Sequence, residues 1–373
     1  MNLSGFDVNT TQSVSLHIDS AVASAGNWLN IQGWVAGLPR GVMIASSTWG
    51  KASCILSERP DVCLALGEDK TLAYGFALHI LSPMTMPSGE IDVALRMNGK
   101  QFASLRFPSP DPRLPLLPFA TPKAIEMTRR LYRDPVSGHD AEHCDRIIFL
   151  EHGTIAPKNL ECGFDNTRIG NYHPDILDTL SRPGAIGLDI GCGIRDTVFD
   201  NMVTQDIYST PTATLITHPD ETRLPFADNT FDLVVLDSVV EHVPDPIALL
   251  IEGRRLLKPG GRIFGDAPFL QPLHLAPHHY FNFTPYGLAT LATKAGLILE
   301  YAEAEDHQRP EFSIEWLLRR TFETISPREA ERLKAMRVGD LFSELTRNKK
   351  FIGYPAETLR ELSAGYRFRM LKQ

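Results

Sequence analysis

Hydrophobic and polar residues alternate with a period of two in the first part of the chain, up to about residue 107. The runs are short, and glycine, proline, asparagine or serine bounds them. They are Ser13–Ile18, Trp28–Val35, Val42–Ala45, Gly75–Ile80, Ile91–Arg96 and Gln101–Phe107. This spacing predicts antiparallel strands that pack as a β-sandwich. The pair Asn98-Gly99 predicts a two-residue hairpin turn, since both residues tolerate a positive φ.

The pattern changes after a proline-rich stretch. Five prolines fall within residues 108–118, which can therefore form neither a helix nor a central strand. From about residue 119, apolar runs of strand length alternate with segments of helical spacing, which predicts parallel strands joined by helices. We predict a separate all-β sandwich domain at 1–107, a linker at 108–118 and an α/β domain at 119–373, with a helical insertion at about 313–362.

Composition narrows the class of protein. A chain of 373 residues with 43% hydrophobic residues is long enough for two globular domains. The net charge of −8 gives no support for a nucleic-acid partner. There is no apolar stretch of ~18 residues to span a membrane, no secretory leader, and an odd, scattered set of five cysteines. We therefore expect a cytoplasmic protein; the oligomeric state stays open.

The candidate chemistry centres on residues 187–193, an apolar strand that ends in an acid and a glycine turn. Asp189 precedes Gly191 and Gly193. In open α/β sheets, ligands bind at the carboxyl ends of the strands, and glycines let the backbone approach them. A dinucleotide fingerprint would place a third glycine near Arg195 and an acid ~20 residues later. This turn lacks both the third glycine and the later acid, and its own acid, Asp189, precedes the glycines.

The order Asp-x-Gly-x-Gly after a strand resembles the first motif of class I S-adenosylmethionine (SAM)-dependent methyltransferases. Further segments extend the resemblance to about residues 186–297. They are a second strand ending at Asp206, the stretch Asp220–Phe226 before a strand at Phe231, then Glu241–Pro246 and Leu256–Gly261. The resemblance implies a Rossmann-like sheet that binds SAM. Only twelve residues separate Gly193 from Asp206, so the first crossover helices are predicted to be short.

The resemblance also implies a role for each matching residue. Asp189 would orient the glycine turn and the SAM amino group. Gly191 and Gly193 would contact the methionine and ribose parts of SAM, and Asp206 would bind the ribose. Asp220, with the backbone of Glu221, would bind adenine, and Asp237 and Ser238 would line the pocket near the sulfonium.

The acceptor side is predicted to lie in the loop that follows the last parallel strand. This loop, about residues 267–287, contains His274, His278 and His279. His274 or His278 is our candidate general base, because a histidine titrates near neutral pH and can take a proton from a hydroxyl. A metal site is the alternative, but the spacing is loose and no matched cysteine or carboxylate lies nearby in the sequence. We therefore expect no metal.

The N-terminal region is similar to β-sandwich modules of bacterial glycosyltransferases and cell-surface glycan enzymes. The residues that carry the similarity are Ile31–Trp34, Arg59–Val62 and Gly75-Phe76. It implies a bacterial glycan-modifying enzyme that O-methylates a surface polysaccharide or related acceptor. Two alternatives stay open: a methyltransferase of a small molecule or lipid quinone, and a non-catalytic SAM-binding scaffold protein.

Overall fold

The first part of the chain forms two antiparallel sheets of four strands each. In this computed structural model the described residues are 7–11, 14–39, 43–49, 51–58, 73–82, 90–108, 113–114, 116–150, 153–158, 167–275, 278–324, 326–328, 331 and 364–372. The strands are β1 (Asp7–Thr10), β2 (Ser15–Ala25), β3 (Trp28–Ala36), β4 (Met43–Ser47), β5 (Lys51–Glu58), β6 (Ala73–Leu81), β7 (Glu90–Met97) and β8 (Lys100–Pro108). The strand orders are β1-β8-β7-β4 and β2-β3-β6-β5.

The two sheets share one hydrophobic core, as a β-sandwich does. Leu29 and Leu78 from one sheet and Val93 and Leu105 from the other are fully or almost fully buried in the same cluster. The predicted all-β region is therefore confirmed. The predicted hairpin is also present, with φ of 50° at Asn98 and 81° at Gly99. Residues 59–62, part of the glycan-enzyme similarity, lie outside the described residues.

The second part of the chain forms a nine-stranded mixed sheet, ordered β18-β19-β17-β16-β12-β14-β15-β10-β9. Its strands are β9 (Ile147–Phe149), β10 (Ile155–Pro157), β12 (Gly187–Ile190), β14 (Met202–Asp206), β15 (Leu215–Ile216), β16 (Phe231–Asp237), β17 (Leu257–Pro268), β18 (Ile298–Glu303) and β19 (Gly365–Leu371). The six strands from β17 to β10 are parallel, and antiparallel strands close both edges. This α/β sheet confirms the predicted fold class.

Both faces of the sheet are buried, which explains the continuous apolar runs in the sequence. In β16, Val234 and Leu236 join one hydrophobic cluster, while Leu233 and Val235 join another on the opposite face. The helices are α1 (Pro122–Leu131), α2 (Pro174–Leu180), α3 (Pro246–Leu256), α4 (Pro285–Lys294) and α5 (Pro310–Thr324).

Strand order reverses between β12 and β16, and this reversal fixes where a ligand can bind. From β12 the chain proceeds to β14 on one side and later to β16 and β17 on the other. The crevice at the carboxyl ends of such a pair is where open α/β sheets bind ligands. Asp189 in β12 and Asp237 at the end of β16 therefore flank the candidate site.

The first crossover helices, predicted to be short, are absent. Residues 191–201 and 207–230, all described, contain no α-helix. A two-stranded parallel ribbon of β11 (Arg168–Gly170) and β13 (Ile194–Arg195) replaces the first helix. The segment Leu256–Gly261 ends α3 at Leu256 and continues as the irregular start of β17. Of the predicted insertion at 313–362, the structure describes the part up to residue 324, inside α5, and residues 326–328 and 331.

A small hydrophobic cluster connects the sandwich, the linker and the second domain. It contains Trp28 and Leu81 from the sandwich, Leu117 from the linker, and Ile194 from β13. Asn27 binds the linker through two hydrogen bonds. Its side-chain amide donates to the Leu117 carbonyl at 3.2 Å, and its Oδ1 accepts from the Leu117 N–H at 2.8 Å. The sandwich therefore contacts the segment that follows the glycine turn.

Candidate active site

A buried arginine joins the two acids that flank the crevice. The Arg195 side chain is 0% exposed. Its Nε and Nη2 donate to the two carboxylate oxygens of Asp189 at 2.8 and 2.9 Å, and its Nη1 donates to Asp237 at 3.0 Å. The Tyr172 hydroxyl also donates to Asp189 at 2.8 Å, and its ring lies 4.2 Å from the guanidinium carbon. The acids predicted to face SAM thus bind groups of the chain itself.

Local backbone geometry brings Arg195 to this position. The ribbon pairs Ile194 with Arg168 and Arg195 with Gly170, so β13 holds Arg195 in an extended conformation directly after the glycine turn. Gly191 and Gly193 have φ of 66° and 50°, a conformation that favours glycine. A Cβ on Gly191 would lie 2.7 Å from the Val239 side chain. The glycines therefore make room for the chain itself.

The carboxylate of Asp206, predicted to bind ribose, supports the backbone of the site. One oxygen accepts from the N–H of Gly193 at 2.8 Å and the other from the N–H of Tyr208 at 3.0 Å. Asp206 is buried. The structure therefore brings Asp206 and Gly193 together, as predicted for one site.

The predicted adenine contacts lie on the surface. Asp220 is 92% exposed, and its side chain lies 3.5 Å from His218. Glu221 is exposed as well. Both follow Thr217, whose N–H donates to the Asp206 carbonyl at 3.0 Å, so they lie near the same edge of the sheet. Ser238 is exposed beside Asp237, with φ of 55°.

The histidine loop folds over the turn that follows β16. The Tyr280 N–H donates to the Glu241 carbonyl at 2.8 Å, and His242 Nδ1 lies 2.7 Å from the His278 carbonyl. The His274 ring lies 5.1 Å from the ring of His242. His278 itself is exposed, with Nδ1 3.4 Å from the Tyr280 hydroxyl. His274, but not the side chain of His278, thus joins a cluster beside the crevice.

Two residues of the site were missed by sequence reasoning. Tyr172 precedes α2 and carries no motif, so no signal marked it. Glu241 belongs to a noted motif but had no assigned role; it is 1% exposed, and burial raises the pKa of its carboxyl to about 8. Arg195 was noticed only as a replacement for a glycine. A charged residue inside an apolar motif was a usable signal, because a buried guanidinium requires carboxylate partners.

The central strands of the sheet match a known protein family. Residues 188–265 match the family model described as "Methyltransferase domain". This part of the chain is therefore similar to methyltransferase domains. The match includes Asp189, Asp206 and Asp237, and it ends one residue before Asp266.

Curated relatives match short parts of the domain. An uncharacterised methyltransferase of Schizosaccharomyces pombe is 51% identical over 41 residues, 11% of this chain and 15% of the relative. A demethylmenaquinone methyltransferase of Staphylococcus epidermidis is 28% identical over 123 residues, 27% and 49% respectively. A ubiquinone/menaquinone biosynthesis C-methyltransferase of Haemophilus ducreyi is 37% identical over 82 residues, 22% and 30%. The chain thus spans less than half the length of each.

Solved structures are also similar to this chain. A SAM-dependent methyltransferase from Methanosarcina mazei has a TM-score of 0.28 and 17% identity, covering 36% of this chain and 89% of that one. A SAM-dependent methyltransferase from Aquifex aeolicus has a TM-score of 0.26 and 14% identity, covering 36% and 93%. Among the described residues, no helix is long and apolar enough to cross a membrane.

SAM is the methyl donor of methyltransferase domains. The side chains predicted to contact the methionine end of SAM do not fit this role as they are arranged here. Arg195 and Tyr172 engage the Asp189 carboxylate, and Arg195 also engages Asp237. Val239 fills the space next to Gly191. Ser238, Asp220 and Glu221 are exposed. In this arrangement the crevice therefore offers SAM no free carboxylate at its methionine end.

Proposed function

We propose that the protein transfers a methyl group from SAM to a hydroxyl of a glycan or related surface-polysaccharide acceptor. The observation that carries the proposal is the methyltransferase match over the strands that bring Asp189, Asp206 and Asp237 to one edge. Of the predicted SAM contacts, Asp220, Glu221 and Ser238 are exposed, whereas contacts at Gly191 and Gly193 would require the side chains of Val239 and Arg195 to move. The β-sandwich supports a large acceptor, since it packs against Ile194, the residue that precedes Arg195.

Methyl incorporation tests the acceptor class. The full chain is incubated with isotope-labelled SAM and with lipopolysaccharide or capsular polysaccharide fractions, and the products are analysed by mass spectrometry. We expect a mass increase of one methyl group per modified sugar. Calorimetry with SAM is run on the same preparation. If SAM binds but no glycan fraction is labelled, the acceptor class is wrong; if SAM does not bind, methyl transfer itself is wrong.

The histidine loop supplies the candidate base, His274 or His278. The pKa of His274 is lowered by burial, which keeps its imidazole neutral and able to accept a proton. Replacing the true base by alanine should lower turnover by ~10²–10⁴-fold and leave SAM affinity unchanged. His143→Ala is the matched control, because His143 is exposed and pairs only locally with Asp140. Near-normal turnover in both His274→Ala and His278→Ala would exclude a histidine base in this loop.

Two other functions have an observation in their favour. The quinone methyltransferases among the relatives favour a lipid-quinone or other small-molecule acceptor. Labelling of a quinone precursor in the same assay, without labelling of polysaccharide, would select this alternative. The buried pairs of Arg195 with Asp189 and Asp237 favour a non-catalytic scaffold. SAM binding without turnover on any acceptor would select that one.

A further inference from the structure

Beside the crevice, three side chains from two separate segments converge. Glu241 and His242 lie in the short 3₁₀ helix that follows β16, and His274 lies in the loop after β17. One carboxylate oxygen and one ring nitrogen from each histidine lie within 4.8 Å of one another. We propose that Glu241, His242 and His274 form a binding site for a divalent transition-metal cation such as zinc. Metal binding here does not require methyl transfer, but a metal on His274 would leave His278 as the candidate base.

Hydrogen bonds fix both histidines in the tautomer that leaves Nε2 free to bind a metal. His242 Nδ1 lies 2.7 Å from the His278 carbonyl, and His274 Nδ1 lies 2.9 Å from the Pro272 carbonyl. A carbonyl oxygen can only accept, so each Nδ1 carries the proton and each Nε2 presents a lone pair. Metal-binding histidines usually donate their second ring N–H to a carbonyl or carboxylate in this way.

The third ligand is a buried carboxylate, one oxygen of which has no hydrogen-bond partner in the described part of the chain. Glu241 is 1% exposed, and its Oε2 accepts no hydrogen bond from any described residue. Its Oε1 lies 3.7 Å from His242 Nε2. A buried carboxylate is costly unless a cation or a hydrogen-bond donor compensates it. A cation between Glu241 and the two Nε2 atoms would satisfy all three groups at once.

The ligand set indicates which cation would bind. Two imidazoles and one carboxylate suit zinc and neighbouring first-row metals, whereas magnesium and calcium prefer oxygen ligands. Zinc–ligand distances are ~2.0–2.2 Å. To reach them, the three ligand atoms would have to move about 1 Å closer to one another. Three protein ligands leave a fourth position open for water or an acceptor oxygen, as in catalytic zinc sites.

His279 lies against His274 but is not a ligand in this arrangement. Its ring centroid is 4.1 Å from that of His274. Its Nδ1 accepts from the His274 N–H at 3.2 Å, so its Nε2 carries the proton and faces Asn282 Oδ1 at 3.0 Å. His279 therefore has no lone pair left for a metal and instead holds His274 in place.

Zinc and cobalt titrations of the chelator-treated full chain test the site. We expect about one equivalent of Zn²⁺ by calorimetry and a visible absorption band with Co²⁺ typical of low coordination number. Glu241→Gln, His242→Ala and His274→Ala should each weaken binding more than about 100-fold. His143→Ala, an exposed histidine outside the cluster, should bind as the wild type does.

Thermal unfolding separates lost ligation from lost folding. Zinc should raise the Tm of the wild type, because it binds the folded state, and should leave the Tm of Glu241→Gln unchanged. Glu241→Gln is nearly isosteric, so it should fold even if an alanine variant does not. Absence of stoichiometric binding to the wild type, or equal binding by Glu241→Gln, would overturn the proposal; Glu241 would then be a buried, protonated acid.

Discussion

At the scale of single residues, the site is organised by charge neutralisation inside the sheet. Arg195 faces Asp189 and Asp237, while Arg367 donates to Asp266 at 2.8 Å and lies 3.7 Å from Asp237. Taking such ions out of water costs several kcal/mol each, so every buried charge depends on its partners. The positions of Asp189, Asp237 and Asp266 are therefore maintained by arginines rather than by solvent.

Arg195→Met tests this dependence. The substitution keeps most of the side-chain volume but leaves the Asp189 and Asp237 carboxylates without their shared cation. We expect a loss of about 3–5 kcal/mol in the free energy of unfolding, measured by denaturant titration.

Arg168→Met is the matched control for Arg195→Met. Arg168 lies in the partner strand β11 and pairs with Asp196 at 2.6 Å, but its side chain is 53% exposed. Exposed pairs contribute at most ~1 kcal/mol. Equal losses in the two variants would show that Arg195 is not the cation that holds the two acids.

At the scale of elements, the sequence predicted strands better than it predicted the connections between them. The runs that became β12 and β16 were identified because most of their residues are apolar, and β14 was identified from the resemblance, through its terminal acid Asp206. The ribbon of β11 and β13 was not predicted, since pairing of two- or three-residue strands depends on contacts distant in sequence. The cluster of Glu241, His242 and His274 was missed for the same reason: about thirty residues separate its two segments.

Gly265 illustrates a packing requirement of β17. A Cβ at Gly265 would lie 2.6 Å from both the Leu236 carbonyl oxygen and the Phe368 ring, and neither a strand backbone nor a buried ring can move easily. We expect Gly265→Ala to lower the free energy of unfolding by about 1–3 kcal/mol, because it overpacks the centre of the sheet.

The control for Gly265→Ala is Gly287→Ala, in the first turn of α4. There the added Cβ would meet only the Thr284 hydroxyl at 3.4 Å. This change should stabilise the chain by ~0.4–1 kcal/mol, since alanine loses less backbone entropy on folding than glycine. A Gly265→Ala variant as stable as the wild type would mean that β16, β17 and β19 can separate locally without cost.

At the scale of the whole molecule, the two regions each have a large hydrophobic core but also share a small one. The sandwich core and the main sheet core are separate clusters. The shared cluster places Trp28 and Leu117 against Ile194, next to Arg195. The proline-rich composition predicted a linker, but it could not predict that the linker end would pack at the glycine turn, because that contact depends on tertiary structure.

Truncation tests how far the two regions are independent. A fragment that begins at Phe119 keeps the whole described nine-stranded sheet and its core, so we expect it to be soluble and to bind SAM as the full chain does. It loses the cover that Trp28, Leu81 and Leu117 give to Ile194, so its Tm should be lower than that of the same domain in the full chain.

Replacing Ile194 by threonine in the fragment should improve its solubility, because this removes exposed apolar surface. The same change in the full chain should be destabilising, since there the side chain is buried and a hydroxyl would enter an apolar cluster. Calorimetric melting and SAM titration of both forms provide the comparison. Aggregation of the fragment with either residue at position 194 would place the domain boundary elsewhere and make the sandwich part of the methyltransferase fold.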